Sequence, residues 1–311
     1  MAKLLALGIL SGAFFSTTFI LNEVMSVAGG HWLWSASLRY AFMLLLLVVI
    51  ILIKGGFGQL RSVLALFCAH WKFWIVAGGI GFGLFYGLIC FSADFSPGWV
   101  IAATWQFTVV ASLFIFMLFG RRFSGRIWLF SSIIFLGVLL VNMSHIDNFD
   151  IQKLLAGGLP VLLAAFCYPF GNQLVWEAEN GENDTFPKIN SPLLSNAFNK
   201  VFLMTLGSIP LWIILLLVVH PPLPSMGQVF NSSLVALFSG VCATSIFLYA
   251  RNLATTSNEL AGVDATQASE VIFALIGGML LLGGEFPSPA ALVGLVMIVI
   301  GLMFFVKYQN I

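Results

Sequence analysis

Apolar residues run along this chain in long blocks, and short groups of Gly, Pro, Asn and charged residues separate them. A helix rising 1.5 Å per residue needs about 20 apolar residues to cross a hydrocarbon core about 30 Å thick. The blocks at 3–22, 31–53, 73–93, 98–119, 125–143, 153–176, 193–219, 232–252, 262–283 and 287–307 meet that requirement. They predict an all-α integral membrane protein with ten transmembrane helices. The first block, followed by "SVA" at 26–28, has some features of a secretory signal. Its near-spanning length and the interrupting Glu23 favour a retained helix.

Composition agrees with the pattern. Of 311 residues, 60% are hydrophobic and 8% charged, against roughly a quarter charged in a soluble domain. A net charge of +1 gives no field suited to nucleic acid. The placement of charge is more informative. Lys54, Arg61 and Lys72 lie in the second connection and Arg121, Arg122 and Arg126 in the fourth, whereas Asp94, Asp147 and Asp150, with Lys153, mark the third and fifth. Basic connections stay on the cytoplasmic side, so both termini are expected there. Residues 177–192, "EAENGENDTFPKINSP", read as a polar cytoplasmic linker between residues 1–176, which hold the first five helices and the sixth, and residues 193–311, which hold the seventh to the tenth.

Five helices per half implies that any repeat, 1–150 against 151–311, is inverted across the membrane. An offset of 164 positions places Gly120 on Gly284, Ile134 on Ile298, Gly137 on Gly301 and Gln106 on Glu270. An offset of 161 places Ala36 on Ala197 and Arg39 on Lys200, and one of 152 places Ala13 and Phe14 on Ala165 and Phe166. Together these matches favour two inverted five-helix repeats within one transport unit.

Ionisable groups inside the spans are the physical lead to function, because a charge at mid-bilayer costs several kcal/mol unless it is paired, protonated or wet. Glu270 lies near the middle of the ninth block and shares a helical face with Gln267. A carboxyl at that depth suits proton or cation binding, and the competing reading is a structural pair with Arg39, Lys200 or a packing partner. Its repeat counterpart Gln106, beside Trp105, is expected at similar depth. In "YPFGNQLVW", Tyr168, Asn172 and Trp176 recur on one face, and Pro169 and Gly171 are expected to weaken the sixth helix. Thr17, Thr18 and Asn22 in the first helix and Tyr86 in the third complete the set of candidate cavity residues, with polar interhelical packing as the alternative. Arg39 and Lys200, each expected seven to eight residues inside its span, are candidates for gating, bracing or binding an anionic group. Trp32, Trp34, Trp71, Trp74 and Trp99 are expected to anchor helix ends at the interface. "GGIGFGLFYG" at 78–87 lacks the strand a phosphate loop requires and reads as close helix packing. Cys68, Cys90, Cys167 and Cys242 form no C-x-x-C pair, and His31, His70, His145 and His220 have no ligand spacing, so neither metal nor cofactor is expected.

The segments "SLRYAFMLLLL" (37–47), "FGRRFSGRIWLFSSIIFLGVLLV" (119–141) and "LIGGMLLLGGEFPSPAALVGLVMIVIGLMFF" (275–305) resemble the drug/metabolite transporter superfamily. "GGHWLWSASLRY", "GFGLFYG" and "PGWVIAATWQFTVVAS" are similar, more narrowly, to its bacterial multidrug resistance efflux subgroup. Where many relatives carry a Glu at the end of the fourth helix, like Glu285 after the ninth, this chain has Arg121 and Arg122. The resemblance implies a ten-helix carrier in a bacterial inner membrane that moves a small molecule by alternating access, as monomer or homodimer. Together with Glu270, it leads to an expectation of proton-coupled efflux of amphipathic or cationic compounds. A metabolite carrier not coupled through Glu270 is the alternative. No cluster of His, Asp and Arg at one interface points to a lipid-modifying enzyme.

Overall fold

The computed structural model describes residues 2–120, 123, 125–145, 151–181 and 186–308. Among these residues all regular structure is helical, and ten helices are long and apolar enough to cross a membrane. They are α1 (Ala2–Val27), α2 (Trp32–Ala69), α3 (Trp71–Ser92), α4 (Gly98–Leu118), α5 (Gly125–His145), α6 (Ile151–Asn180), α7 (Ala197–Val219), α8 (Met226–Leu253), α9 and α10 (Pro289–Tyr308). Helix α9 is built from Ser257–Ala265 and Ser269–Leu282, joined by a 3-10 turn at Thr266–Ala268. Arg121, Arg122, Asp147 and Asp150, on which part of the charge-bias reading rests, lie outside the described residues.

Several expectations are corrected. The second connection is not a loop: α2 kinks at Gly56 (φ 67°, ψ −173°) and continues as helix to Ala69, carrying Arg61 with it. Only glycine adopts such a conformation without steric cost. Helix α6 continues without a break through Pro160, Pro169 and Gly171, while the Ala165 carbonyl, which Pro169 has no N–H to engage, accepts from Thr108 Oγ1 of α4 at 3.2 Å. Gly171 serves a different purpose, since its backbone lies against Gly81 of α3 and the Ala77 carbonyl, leaving no room for a Cβ. Helix α7 begins at Ala197, capped by the Asn196 side chain, so Lys200 sits in the first turn and not two turns deep. Trp74 is wholly buried between helices and Trp99 nearly so. Neither is an interfacial anchor, whereas Trp71 is half exposed.

Besides the kink at Gly56, the described helices depart from α geometry at four places that no Pro marks. Helices α3 and α8 loosen into π turns at Gly79–Leu84 and Ala236–Ala243. Helices α4 and α9 tighten into i to i−3 hydrogen bonding, at Gln106 and Phe107 in α4 and at Thr266–Ala268 in α9. Departures of both kinds inside long helices mark hinges and functional sites more often than chance.

Small residues set the closest helix approaches, as expected where lipid offers no hydrophobic drive for association. Helices α5 and α10 meet at Gly137, Gly294 and Gly301. A Cβ at Gly137 would stand 2.7 Å from the Gly294 carbonyl oxygen, and one at Gly301 would stand 2.6 Å from Ile134 Cγ1. The Gly137→Val variant is therefore expected to force these helices apart and to lose about 1–3 kcal/mol. Thermal unfolding of the detergent-solubilised chain should show a lower midpoint than wild type. Gly58→Ala, at a helical position with open space around it, should not lower the midpoint, because Ala favours helix over Gly.

Candidate functional site

Residues of α1, α2, α3, α4, α6, α7, α8 and α9 surround a central cavity of about 200 Å³. Its polar groups are Thr18, Arg39, Thr108, Ser239, Thr244, Gln267 and Glu270. Its aromatic wall is continuous: Tyr40 contacts Phe82 at 5.8 Å between ring centroids, Phe82 contacts Tyr168 at 6.5 Å, Tyr168 contacts Phe85 at 5.1 Å, and Phe85 contacts Trp105 at 4.9 Å. All four helical irregularities border this space. Phe82 lies in the π turn of α3, Ser239 and Gly240 in that of α8, and Gln267 in the tightened turn of α9, with Glu270 just after it. In the tightened turn of α4, Gln106 does not itself line the space but bonds to Glu270, and Trp105 and Thr108 on either side line it.

Glu270 is buried, 6% exposed, and its Oε1 accepts a hydrogen bond from Gln106 Nε2 at 2.5 Å. The same amide nitrogen also donates to the Ala102 carbonyl at 3.3 Å. Among the described residues no Lys or Arg lies within 4 Å of the carboxyl. Its partner is thus a neutral amide, which can hold either the carboxylate or the carboxylic acid.

Arg39 occupies another part of the same cavity, 8% exposed. Its guanidinium carbon lies 3.9 Å from the Tyr86 ring centroid and 5.5 Å from that of Tyr40. One terminal nitrogen donates to Ser239 Oγ at 3.5 Å, a weak bond, and Nε has no hydrogen-bond partner. Ser239 Oγ is already engaged as acceptor from Thr18 Oγ1 at 2.6 Å. The Tyr86 hydroxyl is exchanged with the Asn22 side-chain amide at 3.1–3.3 Å.

The remaining sequence candidates are placed differently. Thr17 is turned from the cavity, donating to the Phe14 carbonyl at 2.6 Å, and its neighbour Thr18 takes the lining position. Tyr168 lines the cavity, while Asn172 donates back to the Tyr168 carbonyl at 2.9 Å and neither it nor Trp176 lines the space. Lys200 is ion-paired with Glu179 at 2.5 Å at the end of the bundle, and the adjacent Val201 reaches the cavity. Glu285 is exposed beyond α9. Sequence reasoning missed Ser239, Thr108, Thr244 and the rings of Tyr40, Phe82 and Phe85. Small hydroxyl residues and Phe are abundant in all the spans, and only the three-dimensional assembly distinguishes these.

One turn beyond the cavity, polar contacts tie the helices together. Glu23 of α1 accepts from the Gly98 backbone N–H at the start of α4 (2.7 Å), and Ser26 donates to Asp94 (2.6 Å). Gln228 of α8 donates to the His31 carbonyl and to Ser35 Oγ of α2, both at 2.9 Å, and Trp34 donates to the Pro222 carbonyl at 2.8 Å. These contacts join α1 to the α3–α4 connection and the start of α4, and α2 to α8 and the connection before it, at this end of the bundle. The described ion pairs lie at the other end, Lys200 with Glu179 and Arg251 with Asp264 at 3.1 Å.

Residues 2–311 match the EmrE family model, described as "Putative multidrug resistance efflux transporter". The chain belongs to this family. Within it, the chain is 38% identical to "Uncharacterized protein YjlA" of Bacillus subtilis (strain 168) over 317 aligned positions, which cover 97% of this chain and 93% of the relative. It is 37% identical to "Uncharacterized 42.1 kDa protein in intracellular alkaline protease 3'region" of Shouchella clausii over 281 positions, 86% of this chain and 70% of that one. A solved crystal structure shares the fold at a TM-score of 0.62 and 14% identity, covering 100% of this chain and 99% of the other. Family membership and the ten spanning helices make this chain a multi-pass membrane transporter acting on small molecules.

The Asn22 and Tyr86 pair sits beneath the Arg39 guanidinium and joins α1 to α3. A double-mutant cycle of Asn22→Ala and Tyr86→Phe should give a coupling of about 0.6–1.7 kcal/mol, the range of interhelical hydrogen bonds in membranes. Additive unfolding free energies would show that the bond adds nothing.

Proposed function

We propose that this transporter exports small amphipathic or cationic compounds in exchange for protons, by alternating access around the central cavity, with Glu270 as the group that holds proton and substrate in turn. The observation that carries the reading is the setting of Glu270: a buried carboxyl facing the cavity, held by the Gln106 amide and, among the described residues, by no cation. A carboxyl fixed to an arginine would be committed to one charge state. One held by an amide can cycle.

Two inverted five-helix halves rocking about this site supply the motion. Three observations support the repeat. Gln106 and Glu270, equivalent at the offset of 164, bond to each other. The contacts of Gly137 with Ile298 and of Gly301 with Ile134 exchange under that same offset. The third and eighth helices share a π turn, and the fourth and ninth share a tightened turn. By the bias of Lys54, Arg61 and Lys72, both termini face the cytoplasm of a bacterial inner membrane. The end tied together at Glu23, Asp94 and Gln228 then faces outward.

Proteoliposomes under an imposed pH gradient test the coupling. A lipophilic aromatic cation added to wild type should elicit proton movement, and Glu270→Gln should reduce it at least about tenfold, the loss of a group required in every cycle. If a well-folded Glu270→Gln chain moved protons as wild type does, the coupling role would be lost. Substrate flux surviving in that variant would instead support a metabolite carrier independent of Glu270.

A further inference from the structure

Arg39 has no described role in the proton cycle, and its surroundings do not explain its charge. Arginine stays protonated in proteins. A buried cation is normally matched by a carboxylate, because leaving it unmatched costs several kcal/mol. Here the described residues supply none: the ion pairs join Lys200 to Glu179 and Arg251 to Asp264, and Glu270 is bonded to Gln106. Tyrosine faces and one long bond to Ser239 are what the guanidinium receives, and Nε is left without an acceptor. Ring faces offset part of a desolvated cation's cost but not its hydrogen-bonding demand.

The unmet group lines the cavity, and the aromatic wall starts beside it. Tyr40 lies under Arg39, and the chain of rings runs through Phe82, Tyr168 and Phe85 to Trp105, the neighbour of Gln106. We infer that Arg39 is an oxyanion-binding group and that the compounds this carrier accepts are amphiphiles bearing a carboxylate or similar oxyanion on an aromatic body. The body lies along the ring wall and the oxyanion takes the guanidinium's open donors, a charge-assisted contact for which arginine's planar fork is suited. A substrate amine, where present, pairs with Glu270, so zwitterions satisfy both charges of the cavity. This inference rests on the carrier reading above and narrows its amphipathic substrates to those that bear an oxyanion, alone or beside an amine; a simple cation engages Glu270 alone and is bound less tightly.

Binding to the purified full-length chain in detergent tests it with three probes that differ at one end: 3-phenylpropanoate, 3-phenylpropanamide and 3-phenylpropylamine. By calorimetry the carboxylate should bind at least about tenfold more tightly than the isosteric amide, a difference of about 1.4 kcal/mol. Arg39→Lys should weaken carboxylate binding while keeping the preference, and Arg39→Gln should erase the preference. Equal binding of acid and amide to wild type overturns the inference without any variant, as does failure of the acid to bind at millimolar concentration. Sodium chloride titrated against the acid separates an organic oxyanion site from a plain chloride site: binding of chloride alone overturns the substrate assignment. The two readings fail differently. If the amine drives proton flux in proteoliposomes and the acid neither binds nor moves, the carrier stands and the Arg39 assignment falls. If the acid binds through Arg39 but nothing is transported, the carrier reading falls and the site stands.

Discussion

A helix in hydrocarbon has no water to accept an unsatisfied backbone group, so departures from regular hydrogen bonding are confined to positions that face protein or an aqueous cavity. That constraint organises this molecule. Its two π turns and two tightened turns gather around one cavity: Phe82, Ser239 and Gln267 line it, and Gln106 reaches it through its bond to Glu270. The irregular backbone and the polar side chains coincide because both are costly in lipid. Collecting them in one place lets the outer faces of the bundle stay apolar.

The same constraint determines what the chain reveals before it folds. Ten apolar blocks read directly as ten helices, because each must be internally satisfied and long enough to cross. The extension of α2 past Gly56 was not legible, since Lys54, Arg61 and glycines read as a connection, whereas a helix at a membrane surface tolerates them. Pro169 and Gly171 read as a weak point in α6, and the helix continues through them with the Ala165 carbonyl turned to Thr108. Gly171 allows α6 to touch α3 at Gly81. The real irregularities at Gln106 and Thr266–Ala268 contain neither Pro nor Gly. They arise from the packing of neighbouring helices, which no local composition encodes.

Site residues divide along the same line. Glu270, Gln106 and Arg39 stood out because an ionisable or amide side chain deep in an apolar block demands a partner, and the structure pairs the first two with each other while no described carboxylate meets the third. Asn172 and Trp176 share a helical face with Tyr168 by spacing, yet they point beyond the cavity's reach. Thr17 and Thr18 differ by one position, a rotation of about 100° on a helix, which is finer than any sequence argument resolves. Lys200 depended on where α7 begins. The Asn196 cap moves that start four residues later and leaves the lysine half in water beside Glu179.

One cavity therefore holds an acid bonded to an amide and a base without an acid. Had the chain needed these charges only for stability, joining Arg39 to Glu270 would satisfy both, and they are kept apart instead. Separation leaves each able to respond: the carboxyl to a proton, the guanidinium to an oxyanion, and the rings between them to an apolar body. A carrier must release what it binds, so groups satisfied weakly by the protein and better by a passing ligand are what alternating access requires. On this argument the stability forgone at Arg39 is a structural sign of transport, and it is independent of the family to which the chain belongs.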